Sequence, residues 1–476
     1  MSPHLSSCAS ALLLALFVLA ANPARAQGVA PDTGAAAAWR ATSRLGYGPT
    51  AATAPAAQAG AKAWALQQLD EAFAASQRAP QIPADLARFN QPANQLAADF
   101  HAEREARRLA RVNAAGAAPP ALPAADENFS REMQQSAAAW RLMACSDPAL
   151  EPPLLARLTE FWFNHLNVFV GKGTVRPFVG HYAVNVIRAH ALGKFEDLLL
   201  ASARHPAMLF YLDQAQSNAR GLNENYAREL MELHTLGVNA GYTQNDVREL
   251  ARILTGWTVA LPQGEAFRFA ERLHDKGDKV LLGRTFAADG QREGEDAIRM
   301  LARHPATAQR IAQRLAETFV SDQPPKALTD RLAATFTRTQ GDIRAVMSTL
   351  ITSPEFWREG NMLFKTPLDF ACSALAAGGG VKDKRDLQQT LGFLAQAGQP
   401  MHGWQTPDGY KTDAATWLAP EALTRRADHA MNLGARMAEP LYLQPFLSRA
   451  SRDRIAREAP GTRAGLTLAS PDFMRK

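Results

Sequence analysis

Apolar residues recur at helical spacing along most of this chain, and this periodicity limits the fold more than any other feature. Residues 36–45, 61–75, 95–112 and 132–143 combine the spacing with good helix formers. Capping residues mark further helix starts, as at Thr243 and at Ser353-Pro354. Only residues 266–270 and 279–282 alternate as strands do, with a Gly-containing loop between them. We therefore predict a mostly α-helical protein, a large multi-helix domain with one small β-hairpin insertion.

The chain begins with a segment that resembles a processing signal. Residues 9–21 are an apolar run, too short to span a bilayer comfortably, and Asn22-Pro23 and Ala24-Arg25-Ala26 follow. The alternative, a membrane anchor, is disfavoured by the length of the run. Cys8 precedes the run, which argues against a lipoprotein. We predict a signal peptide over residues 1–26 and a periplasmic or secreted protein, with no stable membrane span after processing.

Composition divides the rest of the chain. Residues 27–112 form an N-terminal helical region, and residues 113–125 are an Ala/Pro-rich linker or loop. Residues 126–458 form the main helical domain, with the hairpin near 266–282, and the weak periodicity of residues 459–476 indicates a weakly ordered tail. The formal net charge is only +6, and no Lys/Arg stripe alternates with aromatic residues. A nucleic-acid partner is therefore not expected.

Cys145 and Cys372 are the two cysteines that would remain after processing. An exported chain could join them in a disulfide. Their spacing alone does not indicate a bond, and cysteine is often a small buried residue. We therefore expect two buried free thiols.

The densest group of polar residues lies in residues 223–237, which we predict to be one helix. Asn223 is a good N-cap and Gly237 a good stop. At 100° per residue, one flank of the apolar stripe carries Asn225, Glu229 and Glu232, the back carries Glu224, Arg228 and Glu232, and His234 falls on the other flank.

Two interpretations of that helix remain open. Glu229 and Glu232 could form a carboxylate pair that binds a divalent cation or shifts the pKa of one carboxyl group. Alternatively, the same side chains are a half-exposed charged flank held by salt bridges. No other cofactor is indicated, because the chain has no P-loop, dinucleotide-binding glycine motif, Gly-x-Ser-x-Gly elbow or zinc-type cysteine cluster.

Three histidine and aspartate positions complete the candidate site. His165 lies in the middle of an apolar helical stripe, where it is either a neutral core residue or a desolvated base. His274 and Asp275 lie in the predicted hairpin loop, where they either shape a turn or contribute to a site.

Several motifs occur in an order that resembles the bacterial domain-of-unknown-function 1800 family. They include Arg44-Leu45-Gly46-Tyr47-Gly48-Pro49, Phe161-Trp162-Phe163-Asn164-His165, residues 223–237, Leu254-Thr255-Gly256-Trp257, Ser353-Pro354-Glu355-Phe356-Trp357 and Gly403-Trp404. The resemblance covers nearly all of the chain after the signal segment. It implies an exported, uncharacterised helical protein, often encoded beside a sulfatase-like protein of unknown role, and it supplies no catalytic residues.

Three functions are compatible with these observations. The first is an extracytoplasmic, hydrolase-like enzyme acting on an envelope or extracellular polymer such as a polysaccharide, with catalytic residues among His165, Asn225, Arg228, Glu229 and Glu232. The second is a non-catalytic envelope binding or assembly protein, in which the polar helix is a packing network. The third is a partner subunit for the sulfatase-like protein. A shared, water-accessible cleft for His165 and both glutamates would favour the enzyme.

Overall fold

Helices dominate the structure, a computed structural model that describes residues 34–114 and 128–476. Within these residues the extended elements are two small antiparallel sheets. The prediction of a mostly α-helical protein with a small β element is therefore confirmed. The predicted signal peptide, residues 1–26, and nearly all of the predicted linker, residues 113–125, lie outside the described residues.

The helices that precede the sheets include all four segments predicted from periodicity. They are α1 (Ala35–Arg44), α2 (Ala54–Ala59), α3 (Ala61–Ser76), α4 (Ala93–Ala114), α5 (Phe129–Ser146), α6 (Pro153–His165), α7 (Val179–His181), α8 (Phe195–Arg204), α9 (Pro206–Tyr211), α10 (Asn225–Glu229) and α11 (Gln244–Leu254). π-Helical segments, Tyr182–Arg188 and Leu230–His234, continue α7 and α10.

The helices that follow the sheets are connected by short turns. They are α12 (Gln291–Ala302), α13 (Pro305–Phe319), α14 (Lys326–Arg338), α15 (Ile343–Thr352), α16 (Pro354–Trp357), α17 (Pro367–Ala377), α18 (Lys384–Gln396), α19 (Ala414–Trp417), α20 (Pro420–Gly434), α21 (Arg449–Ala456) and α22 (Pro460–Ala469). Short 3₁₀ turns occur at Ala87–Asn90, Gly173–Val175, Gln214–Gln216, Leu261–Gln263, Glu271–Leu273 and Leu441–Phe446.

Side-chain caps explain where several helices begin. Thr243 accepts a hydrogen bond from the Asp246 amide while the Asp246 carboxylate accepts one from the Thr243 amide, which makes the predicted capping box. His205 and His304 are the N-caps of α9 and α13, each followed by a proline at the first helical position. Local sequence therefore sets these boundaries.

The β element contains two hairpins, and its strands pair differently from the prediction. β1 (Trp257–Ala260) pairs with β2 (Glu265–Phe269), and β3 (Lys279–Leu281) pairs with β4 (Arg284–Phe286). We expected residues 266–270 to pair with residues 279–282. Each strand instead pairs with its nearest neighbour in sequence, because turns around Gly264 and Gly283, both with positive φ, close the two hairpins.

Buried apolar side chains form two clusters. The larger one extends from α1 to α16 and includes Trp162, Trp257 and Phe319. It also contains residues of α1–α4, so the predicted N-terminal region packs into the same core as the first part of the main domain. The second cluster combines the last helices, including Phe370 of α17 and Phe393 of α18, with a few residues from α5 and α6. The two clusters meet along α5, α6 and α17.

A disulfide crosses the junction between these clusters. Cys145 of α5 and Cys372 of α17 are bonded, with their Cα atoms 5.6 Å apart. The expectation of two free thiols was therefore wrong. The bond joins residues 227 positions apart, and only the packing of α5 against α17 brings the two side chains together.

The chain end also differs from the prediction. We expected residues 459–476 to be weakly ordered, but Pro460–Ala469 forms α22 and packs against α20. Phe473 and Lys476 are buried, and backbone hydrogen bonds join Lys476 to Leu363. None of the helices described, over residues 34–114 and 128–476, has the length and apolar content needed to cross a bilayer.

Candidate functional site

The predicted polar helix is shorter than expected and changes its geometry. It begins at Asn225, and its N-cap position is Glu224, one residue after the predicted cap Asn223, with no side-chain cap hydrogen bond. Asn223 accepts a hydrogen bond from the Asn225 amide just before the helix. After Glu229 the helix becomes π-helical, and the hydroxyl of Thr235 donates to the carbonyl of Leu230. A π-helix has more residues per turn than an α-helix. The 100° face analysis therefore does not apply beyond Glu229. It placed His234 on a flank of the apolar stripe, whereas the structure buries this residue in the core, 1% exposed.

Arg228 is the centre of a salt-bridge network on this helix. Its guanidinium lies 3.2 Å from Glu224 and 3.6 Å from Glu232, the i,i+4 pairs that the sequence indicated. Gln244 of α11 extends the network by accepting from Arg228 and donating to Glu224. Asn225 donates to the carbonyl of Leu212. The interpretation as a half-exposed, salt-bridged flank therefore describes these residues well.

Glu229 differs from its neighbours. No hydrogen bond or ion pair joins its carboxylate to another residue within the described parts of the chain. Burial, followed by the nearby charge of Glu232, raises the pKa of this carboxyl group. Within the same residues, no group of three or more His, Cys, Asp or Glu side chains is arranged to hold a metal ion. The Glu229–Glu232 pair thus has no third ligand of these types.

His165 is a sealed core residue. It is 3% exposed, and Nε2 donates to the carbonyl oxygen of His234 at 3.0 Å. Burial, then the charges of Arg314 and Arg310, hold its pKa well below 6.5, so the ring is neutral. No hydrogen bond or ion pair links it to Glu229 or Glu232 in the part of the chain that the structure describes. The enzyme hypothesis required His165 and the two glutamates to lie together in one cleft. Among the described residues, the imidazole makes no direct contact of this kind with either carboxylate.

His274 and Asp275 fix the geometry around the second hairpin. The ring of His274 bonds to the Thr255 carbonyl through Nδ1 and to Glu293 through Nε2. Arg252 binds both carboxylate oxygens of Asp275 and lowers its pKa to about 2. The ring nitrogens of His274 and the carboxylate oxygens of Asp275 thus all have hydrogen-bond partners within the fold. This favours the structural interpretation of the two residues.

A different pocket, lined by aromatic and charged side chains, lies where the two apolar clusters meet. It has a volume of about 80 Å³ and is lined by Phe161 and Phe163 from the first cluster and by Leu368 and Tyr410 beside the second. Its charged lining residues are Arg141, Arg157, Glu160, Arg314, Asp369 and Lys476. Binding sites often occur at such junctions. This pocket is small enough to accept only an ion, a few waters or one end of a larger ligand.

The segment 399–412 covers this pocket and is held by two asparagines at the end of α6. Asn164 exchanges two hydrogen bonds with the backbone of Tyr410, at 2.9 and 2.7 Å. Asn167 donates to the carbonyls of Trp404 and Thr406. Gly409 has a φ of +73°, and a Cβ there would lie 2.1 Å from the Asn164 carbonyl oxygen. Only glycine fits this contact.

Buried charge is concentrated beside the pocket around Asp369. Its carboxylate accepts hydrogen bonds from Arg157 and Lys476. Lys365 is 1% exposed, and its Nζ has no hydrogen-bond partner among the described residues. Arg426 is fully buried, and none of its three guanidinium nitrogens has such a partner. Four basic side chains therefore surround one carboxylate.

The pKa values follow from this arrangement. Although burial alone would raise it, the charges of Arg157 and Lys476 hold the pKa of Asp369 well below its usual range. Burial and the charge of Arg157 lower the pKa of Lys476 to about 8. Burial holds the pKa of Lys365 well below its usual value. The lowered pKa favours the neutral amine of Lys365, whereas the pKa of Arg426 falls only to about 10, so this guanidinium stays charged at neutral pH. A buried positive charge without a hydrogen-bonded partner is costly, so the region should attract an anion.

Sequence reasoning missed this pocket almost entirely. The one available signal was Thr406-Pro407-Asp408-Gly409-Tyr410, whose Pro-Asp-Gly core is typical of a turn. No local pattern marked Arg157, Asp369 or Lys476, because their side chains meet only after distant helices pack.

The fold and the pocket define a mostly α-helical protein with a cation-rich pocket between two apolar cores. The chain belongs to the family described as protein of unknown function (DUF1800), whose model matches residues 40–475. The predicted membership is therefore confirmed. No curated protein and no solved structure matches the chain.

Proposed function

We propose that this protein is an exported, non-catalytic binding protein of the cell envelope whose pocket receives a small anionic group. The observation that carries the proposal is the surplus of buried basic side chains around Asp369, next to a pocket that Arg157, Arg314 and Lys476 also line. The ligand would be a carboxylate, sulfate or phosphate, either free or at the end of an envelope or extracellular polymer.

Arg314 is the residue we expect to contact the ligand. It lines the pocket and is only partly buried, and no hydrogen bond joins its guanidinium to another described residue. Burial lowers its pKa, although the charges of Glu317 and Asp408 oppose this effect. An anion in the pocket would supply hydrogen bonds that Arg314 otherwise lacks.

The test is anion-dependent stabilisation of the purified protein. Sulfate, phosphate and acetate are titrated separately at ionic strength held constant with KCl, and thermal unfolding and heats of binding are measured. An anion at one hundred times its Kd should add about 2.7 kcal/mol to the free energy of unfolding. Arg314→Gln should remove this gain, whereas Arg248→Gln, the same change on an exposed side chain of α11, should retain it. Identical behaviour of the two variants would refute the proposal.

Export is supported by two observations. Residues 1–26 have the pattern of a cleaved signal, and the Cys145–Cys372 disulfide suits an oxidising compartment. N-terminal sequencing of the protein isolated from periplasmic and secreted fractions should begin at Gln27. The association with a sulfatase-like protein remains a proposal that co-purification would test.

A second candidate function is an envelope hydrolase that uses Glu229 as a proton donor. The observation that favours it is the unpaired, half-buried carboxyl of Glu229 with its raised pKa. A panel of chromogenic glycosides, esters and sulfates should then be hydrolysed by the wild type and by Glu421→Gln, an exposed control, but not by Glu229→Gln. Equal rates for both variants would exclude this role for Glu229.

A further inference from the structure

A second cavity lies in the C-terminal part of the fold and has about 320 Å³ of space. Its walls come from α20, which contributes Leu423 and Met431, from α22, which contributes Leu466, from the segment around Phe364, from the start and end of α19 (Ala414 and Leu418), and from residues 471–475. Small-molecule sites typically occupy 300–1,000 Å³. This cavity therefore reaches the size of a small-molecule site. The pocket of about 80 Å³ that Arg157, Arg314 and Lys476 line, hereafter the anion pocket, is smaller.

The lining of this cavity is apolar with a single exception. Arg475 is its one charged side chain, and three methionines, Met362, Met431 and Met474, line the wall. Methionine side chains adapt to ligands of different shape. Met362 and Leu418 are 51% and 39% exposed, so apolar surface of the cavity reaches solvent. The cavity is thus accessible and suited to an alkyl chain.

Two arginines adjoin the cavity, and neither guanidinium is hydrogen-bonded to a carboxylate within the described residues. Arg475 is partly buried, and no hydrogen bond or ion pair joins its guanidinium to any residue in the described part of the chain. Behind the wall, the Arg426 guanidinium lies 4.7 Å from the ring centroid of Phe364, a lining residue. None of the Arg426 nitrogens is hydrogen-bonded within the described residues, and Asp369, the carboxylate that acts on it, already binds Arg157 and Lys476. This side of the cavity therefore carries an excess of positive charge.

We propose that the cavity binds a medium-chain alkyl carboxylate, with the chain against the methionines and the carboxylate paired with Arg475. A cavity of about 150 Å³ accommodates benzene, which has six carbon atoms, so about 320 Å³ corresponds to roughly twelve carbon atoms. Dodecanoate is therefore the natural probe. This site is separate from the anion pocket, and the inference does not rest on the proposed function.

The head-group requirement is tested with three probes of equal chain length. Dodecanoate, dodecanol and dodecyltrimethylammonium are titrated into the full-length protein, the two ions below their micelle concentrations and the alcohol below its solubility limit, and the heat of binding is measured. Dodecanoate should bind at least about tenfold more tightly than dodecanol, because a hydrogen bond to a charged group is worth that much. The cationic probe should bind most weakly. Equal affinities for dodecanoate and dodecanol would overturn the assignment of the carboxylate to Arg475.

Two variants with matched controls locate the site. Ala427→Phe fills the cavity from α20 and should abolish dodecanoate binding, whereas Ala56→Phe, the same change on the exposed face of α2, should not affect it. Arg475→Gln should weaken dodecanoate binding about tenfold without changing dodecanol, and Arg457→Gln, an exposed arginine, should change neither.

Each variant is also tested for folding, so that loss of binding is not confused with loss of structure. Circular dichroism and thermal unfolding are recorded for each variant, and Leu423→Trp replaces Ala427→Phe if the latter fails to fold. Dodecanoate binding that survives in a folded, cavity-filled variant would overturn the proposal, as would its absence in the wild type. Sulfate binding at the anion pocket should be unchanged in every folded variant, so failure of one site is distinguishable from failure of the other.

Discussion

At the scale of single residues, charge balance beside the anion pocket depends on Asp369. The carboxylate bonds to Arg157 and Lys476, and its negative charge also acts on Lys365 and Arg426. The same residue closes the capping box that starts α17, since its carboxylate accepts from the Thr366 amide. One side chain thus supports a helix start and neutralises part of a buried positive cluster.

Removing the charge of Asp369 should therefore be severely destabilising. We expect Asp369→Asn to lower the free energy of unfolding by about 3–5 kcal/mol, because it leaves buried cations uncompensated. Asp330→Asn, which removes an exposed partner of Lys326, should cost far less, because exposed ion pairs contribute little to stability. Urea unfolding monitored by tryptophan fluorescence measures both. Similar values for the two variants would contradict the electrostatic account.

Some residue roles could be predicted from sequence because their partners are close in the chain. Asp246 caps α11 through Thr243, and Arg228 pairs with Glu224 and Glu232 within one helix. The bond from Arg157 to Asp369 joins residues 212 positions apart. No local rule links such residues, so the positive cluster could not be predicted.

At the scale of elements, the segment 399–412 covers one side of the anion pocket. Its contact with α6 is a close backbone approach at Gly409, where the positive φ and the Asn164 carbonyl leave no room for a side chain. The segment has little regular structure of its own and depends on the Asn164 and Asn167 hydrogen bonds. Strain introduced here should act on the pocket first.

A pair of glycine substitutions tests this dependence. Gly409→Ala should destabilise the fold by about 1–3 kcal/mol and weaken anion binding, because the new methyl group displaces the segment from Asn164. Gly392→Ala, inside α18 and with open space at its Cβ position, should stabilise the protein by about 0.4–1 kcal/mol. Denaturant unfolding and sulfate titration report the two effects. Unchanged sulfate affinity in Gly409→Ala would show that the segment 399–412 does not contribute to anion binding.

Periodicity identified helices reliably but not their irregularities. The segments at residues 36–45, 61–75, 95–112 and 132–143 were predicted and are present as α1, α3, α4 and α5. The π-helical turn after Glu229 was not predicted, because nothing in the spacing of the apolar residues distinguishes it from an α-helix. Strand pairing was also missed, because alternation identifies strands without identifying partners.

At the scale of the whole molecule, burial of histidine shapes stability. His165, His205 and His402 have pKa values held well below 6.5 by burial. Burial also lowers the pKa of His181 to about 4 and that of His429 to about 4. The native state therefore keeps these rings neutral, whereas the unfolded chain protonates them near pH 6.5.

Stability should accordingly fall as the pH decreases from about 6.5 towards 4, because the unfolded state then binds more protons than the native state. A histidine whose native pKa is about 4 should cost about 2 kcal/mol between pH 7.5 and pH 5.0. Urea unfolding at the two pH values measures the loss. His429→Gln should reduce it by that amount, and a loss that is unchanged in this variant would contradict the assignment.

The bond between Cys145 and Cys372 also constrains the order in which the molecule can be completed. A ribosome synthesises the earlier cysteine 227 residues before its partner, so the first core can assemble around α5 while that thiol is still reduced. The cross-link is thus a closing step, available only once α17 exists. A foreign disulfide that reaches Cys145 earlier would exchange with its thiolate, forming a mixed disulfide and releasing the other thiol, and would leave the second core without its covalent attachment.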